Sequence, residues 1–95
     1  MHLSQVEANT SLSFEEARTL AVKTAGEQLQ DPMVLSWLNR RTGQHSPPVD
    51  CCREEGKDSW EIYAESRGGS VRVEIGDQYV FILRDGIQAD IKSER

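Results

Sequence analysis

Ser70-Val71-Arg72-Val73-Glu74-Ile75-Gly76-Asp77-Gln78-Tyr79-Val80-Phe81-Ile82-Leu83 decides how this chain folds. Val71, Val73 and Ile75 alternate with Arg72 and Glu74, the period of two that sends successive side chains to opposite faces of a strand. Gly76-Asp77 then makes a turn too short for anything but an antiparallel return. Residues 78–83 are apolar enough for a central strand, or for one covered on both sides. Arg84-Asp85-Gly86 ends that strand, and Ile87, Ala89 and Ile91 offer a short edge segment.

Just upstream, Ser59-Trp60-Glu61-Ile62-Tyr63-Ala64-Glu65 also alternates, and Ser66-Arg67-Gly68-Gly69 supplies a hairpin turn. Three consecutive stretches with period two predict an antiparallel meander. Residues 53–58 are dense in charge and predict a solvated loop. A further strand is expected at Met33-Val34-Leu35-Ser36-Trp37-Leu38, where bulky and partly β-branched residues follow Asp31-Pro32. The competing reading is a short helix with Asp31 as its cap and Pro32 in its first position; composition favours the strand. Asn39-Arg40-Arg41-Thr42-Gly43 turns the chain, and Pro47-Pro48 confines its return over residues 44–49 to a sheet edge or an irregular path.

The apolar face of this sheet needs a cover, and the sequence supplies one. Ser13-Phe14-Glu15-Glu16 carries a capping box, in which Ser13 serves the free N–H groups and Glu16 reaches back to the Ser13 N–H. Phe14, Ala17, Ala21, Ala25 and Leu29 recur at helical spacing, with Leu20 widening the stripe. A helix over residues 13–30 follows, although Gly26 marks either close packing or an earlier end. The expected fold is α+β: one main N-terminal helix packed on an antiparallel sheet of about four strands. Residues 1–12 are expected to form an irregular arm, 13–91 a single domain and 92–95 a polar tail.

Size and charge exclude some functions. Ninety-five residues support one core, and a net charge of −5 disfavours nucleic acids and anionic membranes as partners. The N-terminus has neither a cationic start nor an apolar signal region, and no apolar run approaches the ~20 residues of a membrane span. A soluble, cytoplasmic protein with reduced cysteines is the expectation.

Chemistry concentrates in one window, His45-Ser46-Pro47-Pro48-Val49-Asp50-Cys51-Cys52. Two thiolates and an imidazole suit zinc or copper(I), and a thiol near His45 is open to activation. Adjacent cysteines in an extended chain point to opposite faces, however, and a fourth ligand is missing. His2 completes such a site only if the arm folds back, or if a second chain contributes. Glu61, Glu65 and Glu74 are expected on strands, paired with Arg67 and Arg72 across a hairpin. Arg67, Gly68 and Gly69 form a turn whose N–H groups can contact an anion, but without the lysine and following helix of a phosphate loop.

Trp37, the run Thr42-Gly43-Gln44-His45-Ser46-Pro47, the pair Cys51-Cys52, and Trp60-Glu61-Ile62-Tyr63-Ala64-Glu65-Ser66-Arg67-Gly68-Gly69 together resemble a small bacterial and archaeal family of unknown function. The resemblance covers roughly residues 12 to 84. It implies a compact α+β domain occurring as a stand-alone protein and brings no catalytic assignment. The leading expectation is a non-enzymatic domain that self-associates, as a homodimer for example, or binds a protein partner. The alternative is a metal-binding or thiol-active protein built on Cys51, Cys52 and His45.

Overall fold

The computed structural model describes residues 1–8, 10–48 and 58–86. In chain order the elements are β1 (His2–Val6), α1 (Phe14–Ala25), β2 (Pro32–Asn39), β3 (His45–Ser46), α2 (Ser59–Ser66), β4 (Val71–Ile75) and β5 (Tyr79–Asp85). The fold is α+β, as expected, but it has two helices and a five-strand mixed sheet in the order β1-β4-β5-β2-β3. Strand β1 runs parallel to β4, and the other three pairings are antiparallel.

The β4–β5 hairpin forms as predicted. Val71, Val73 and Ile75 are buried beneath α1, and Arg72 and Glu74 lie on the opposite face. Ser13 caps α1 through the expected box: its Oγ accepts from the Glu16 N–H at 3.1 Å, and Glu16 Oε1 accepts from the Ser13 N–H at 2.9 Å. The helix ends at Ala25 with Gly26 as its cap, earlier than residue 30. Ala17, Ala21 and Ala25 are fully buried, so small side chains bring α1 close to the sheet. At its start Phe14 meets the rings of Trp37, Phe81 and Tyr79, with centroids 4.6, 5.8 and 6.1 Å away.

Pro32–Asn39 is a strand, as preferred over the short helix. It carries a bulge between Val34 and Ser36, the pairing residues being Leu83 and Ile82. The extra residue turns both Leu35 and Ser36 toward the face opposite α1, because the bulge interrupts the alternation. His45–Ser46 is a two-residue edge strand, in keeping with the prolines that follow it.

Two expectations are corrected. Residues 59–65 form α2, not a strand. Trp60 and Ala64 are buried on one side of it, and a spacing of four satisfies a period of 2 as well as one of 3.6, so alternation there was a coincidence of the two patterns. Asp58 and Glu61 form a capping box, with the Asp58 N–H donating to Glu61 Oε1 at 2.9 Å. The signature matches the one that announces α1.

The irregular arm is also corrected, since His2–Val6 is strand β1 and residues 10–12 are held down by Gln78 and Tyr79 at the turn into β5. Leu12 N–H donates to Gln78 Oε1 at 2.8 Å, Gln78 Nε2 donates to Thr10 O at 2.9 Å, and Tyr79 Oη donates to Leu12 O at 3.1 Å. The expected edge segment over 87–91 and the tail over 92–95 lie outside the described residues. Among the described residues no helix is long and apolar enough to cross a membrane.

The two helices cover opposite faces unequally. Helix α1 packs on β4, β5 and β2, whereas α2 packs mainly on β2 and β5 and reaches β4 through the Glu61–Arg72 pair. Trp60 and Ala64 close a second, smaller core with Val80, Ile82, Leu35 and Leu38. Beside it, among the described residues, no helix lies over the α2-side face of β1 and the far part of β4, and that open half of the sheet is where the polar side chains gather.

Candidate interaction surface

His45 lies on β3, opposite Leu38, with its Nδ1 3.1 Å from the Pro47 carbonyl oxygen. Cys51 and Cys52 lie outside the described residues. His2 is on β1, at the other end of the sheet, so three strands separate it from His45. At about 4.8 Å per strand the two histidines' strands are roughly 19 Å apart, and a single chain does not bring them to one site. Among the described residues no group of three or more His, Cys, Asp or Glu side chains is placed to hold a metal ion.

Arg67, Gly68 and Gly69 do not form a hairpin turn; they terminate α2. The Arg67 N–H donates to Tyr63 O and Ala64 O, that of Gly68 to Glu65 O at 3.2 Å, and that of Gly69 to Ala64 O at 2.9 Å. These donors serve the carbonyl end of the helix, where the partial charge is negative. Gly68 has φ +89°, the left-handed conformation usual just past a helix end. The Arg67 guanidinium stacks over the Tyr63 ring at 4.7 Å, and its carbonyl accepts from Arg84 Nη1 at 2.9 Å.

Carboxylates and arginines meet elsewhere, on the open half of the sheet. Arg72 Nη1 donates to Glu61 Oε2 at 2.7 Å and its Nε to Glu74 Oε2 at 3.0 Å, and its guanidinium lies 5.7 Å from the Trp60 ring. Glu61 thus ties the start of α2 to β4: one carboxylate oxygen serves the helix cap and the other takes the arginine. Glu74 is also approached by Arg40 at 3.7 Å and accepts from Gln5 Nε2 at 3.3 Å. The expected Glu–Arg pairing is therefore real at Arg72, but it runs from helix to strand rather than across a hairpin.

Burial opposes the Glu74 carboxylate, but the hydrogen bonds from Gln5 and Arg72 and the positive charges of Arg72 and Arg40 outweigh it. The net effect is a pKa below the usual glutamate value. Burial likewise opposes the Arg72 charge, and its bonds to Glu61 and Glu74 reverse that effect and hold its pKa above the ordinary value.

Because the folded-state pKa of Glu74 is depressed, its contribution is fully present above the unfolded-state value of ~4.3 and is lost as pH falls through the folded value. Urea unfolding of Glu74→Gln should show a deficit of about 1 kcal/mol or less at pH 7, typical of a partly exposed pair. That deficit should shrink toward zero when the pH is lowered from ~4.5 into the acid range. A deficit unchanged by pH would place the effect in packing rather than in charge.

Strand β1 borders this half of the sheet. Its register sets Leu3 beside Arg72 and Gln5 beside Glu74, so Leu3 and Gln5 share the open face, and Leu3 is 51% exposed. Among the described residues the far side of β1 has no neighbouring strand in the sheet. Sequence reasoning missed these residues, although one signal was available: residues 1–6 hold no Asp, Glu, Lys or Arg in a chain that is 28% charged.

Comparison with known proteins agrees with this architecture. The crystal structure of protein AF1514 from Archeoglobus fulgidus DSM 4304 superimposes with a TM-score of 0.77 at 32% sequence identity, over 90% of this chain and 94% of that one. No curated protein matches the chain at a significant level. A family model described as Domain of unknown function (DUF5619) matches residues 2–83 of the 95, from the first residue of β1 through both helices and into β5. The expected resemblance to a small family of unknown function is borne out, and the chain belongs to the DUF5619 family.

Proposed function

We propose that this domain is a binding module, not an enzyme, and that it works by accepting a further strand along the free edge of β1. The observation that carries this reading is the contrast between the two edges of the sheet. Strand β3 is guarded: two residues long, it runs straight into Pro47 and Pro48. Strand β1 is five residues long, with no charge, no proline and no bulge over His2–Val6. Natural sheets guard edges with those devices because an unguarded row of N–H and C=O groups pairs with other chains. Among the described residues the β1 edge is bare while its opposite is blocked, and a bare edge is the kind that an added strand pairs with. Its acidic balance makes a soluble, cytoplasmic setting part of the same reading.

Proline placement provides the test, because the direction of each N–H along β1 differs. His2 N–H donates to Ser70 O at 2.9 Å, and Val6 O accepts from the Gly76 N–H at 2.8 Å. Even-numbered residues of β1 thus turn their backbone groups into the sheet and odd-numbered ones turn them out. Gln5→Pro should remove an outward donor and leave folding nearly intact. Ser4→Pro should remove an inward one and cost on the order of 1–3 kcal/mol, the range for stranding a buried backbone partner. A fluorescent peptide of residues 1–8 serves as the strand probe. Its polarisation should rise with wild-type protein and fail to rise with Gln5→Pro at equal circular dichroism. Equal binding to both, or binding to neither, would remove the edge from consideration.

A further inference from the structure

We infer that the strand added at β1 is the β1 of a second copy of this chain, paired antiparallel about a twofold axis through Ser4; this rests on the strand-addition reading above. The hydrogen-bonding phase of β1 sets the register. Residues 2, 4 and 6 spend their backbone groups on β4, and the alternation leaves those of Leu3 and Gln5 directed outward. In an antiparallel ladder, opposed residues whose groups face one another exchange both bonds. Leu3 therefore stands opposite Gln5 of the second copy, Gln5 opposite its Leu3, and Ser4 opposite Ser4, giving four inter-chain backbone bonds. Moving the axis to Leu3 or to Gln5 carries a bonded pair outside His2–Val6, to Met1 or to Glu7. The second choice also sets a carboxylate beside the Leu3 side chain.

Of the surfaces a second copy could meet, this uncharged edge is one that its net charge does not oppose, and the edge is complementary to itself in the register above. Each chain carries −5, so two copies repel over most of their surface. Across the Ser4 axis the opposed residues are Leu3 with Gln5, Ser4 with Ser4 and His2 with Val6, and no carboxylate faces another. The axis is perpendicular to the sheet, so the open halves of both copies lie on one face. The two Leu3 side chains become diagonal neighbours there, about 7–8 Å apart and within reach of each other. Two five-stranded sheets join into one of ten strands, and the exposed leucine gains a cover. A strand pair of this length is a small interface, so the dimer is expected to depend on concentration and to strengthen with added salt, which screens the repulsion.

Sedimentation of the wild-type chain over a concentration series should show monomer giving way to dimer, with the midpoint lowered by salt. Leu3→Lys should raise that midpoint at least about tenfold, equivalent to 1.4 kcal/mol. In a Cys51→Ser/Cys52→Ser background, Ser4→Cys should oxidise to a disulfide dimer. A non-hydrogen-bonded pair on the axis brings its Cα atoms to about 4.5 Å, inside the disulfide range. Leu3→Cys, whose partner is Gln5, should crosslink at least about tenfold more slowly. A chain that stays monomeric at every concentration, with both cysteine variants equally slow, overturns the inference. Strand addition itself then stands or falls on the peptide of residues 1–8. A dimer in which Leu3→Cys crosslinks faster than Ser4→Cys overturns the Ser4 axis.

Discussion

Trp60→Ala should lower the unfolding free energy by about 3–5 kcal/mol, the range for truncating a large buried aromatic. Trp60 is 2% exposed and is the largest side chain in the core under α2, where it packs with Ala64, Val80, Ile82, Leu35 and Leu38. An eight-residue helix is too short to persist in water on its own, so α2 depends on this contact. The loss should therefore be local before it is global. Hydrogen exchange in Trp60→Ala should show α2 amides unprotected while those of β4 and β5 remain slow, and urea titration followed by circular dichroism should give the total. Trp60→Phe provides the contrast. The indole Nε1 and the Ser36 Oγ are both buried without a partner among the described residues, and an unsatisfied donor costs about 1–3 kcal/mol. Phenylalanine removes that donor along with some of the volume, so its deficit should be no more than about half that of alanine. Both variants remove the donor, so the difference between their deficits reads the lost volume, and equal deficits would show that the ring volume contributes nothing.

Gly69→Ala should cost about 1–3 kcal/mol through overpacking. A Cβ there would sit 2.8 Å from Ile82 Cγ2 and 3.0 Å from the Ala64 carbonyl oxygen. Ile82 is 1% exposed and the carbonyl belongs to the helix backbone, so neither has room to retreat. Gly43→Ala separates this steric effect from backbone strain: φ is +82° there and nothing lies within 4 Å of the added carbon, so only the left-handed penalty of about 1–2 kcal/mol applies. The two are best told apart by coupling. Ile82→Ala is harmful alone, but should be less harmful in the Gly69→Ala background, whereas with Gly43→Ala the two losses should simply add. Additive losses at Gly69 and Ile82 would mean that the close approach is absent.

Legibility in the sequence followed the number of residues that shared one pattern. The α1 stripe and the β4 alternation were readable because each repeats at one period over several turns or pleats. The helix α2 was not, because Trp60 and Ala64 are spaced to fit strand and helix alike; only the Asp58–Glu61 box, with its glycines after Arg67, broke the tie. Strand β1 escaped for a different reason. Its core side holds Ser4 as well as Val6 and its outer side Leu3 as well as Gln5, so neither face is uniformly apolar and no alternation shows. The parallel β1–β4 pairing joins segments some seventy residues apart, which no local signal records. At the site, the chemical richness of residues 45–52 drew attention to one edge of the sheet. The proposed binding edge is the other one, where the informative property is an absence of charge over residues 1–6.

Strand β5 has apolar residues on both sides, so polarity gives it no reason to prefer one register over a slip by one residue. Size does. Tyr79, Phe81 and Leu83 point to α1, whose alanines leave a flat surface with room for rings, while Val80 and Ile82 point to α2, which brings its own indole. Each layer thus holds one large partner and one small one, in opposite arrangement on the two sides. A slip would press Phe81 onto Trp60 and leave a void over Ala21. This strand is positioned by a volume code, and exchanging bulk across the interface, a larger residue at Ala21 with a smaller one at Phe81, is the kind of paired change that code allows.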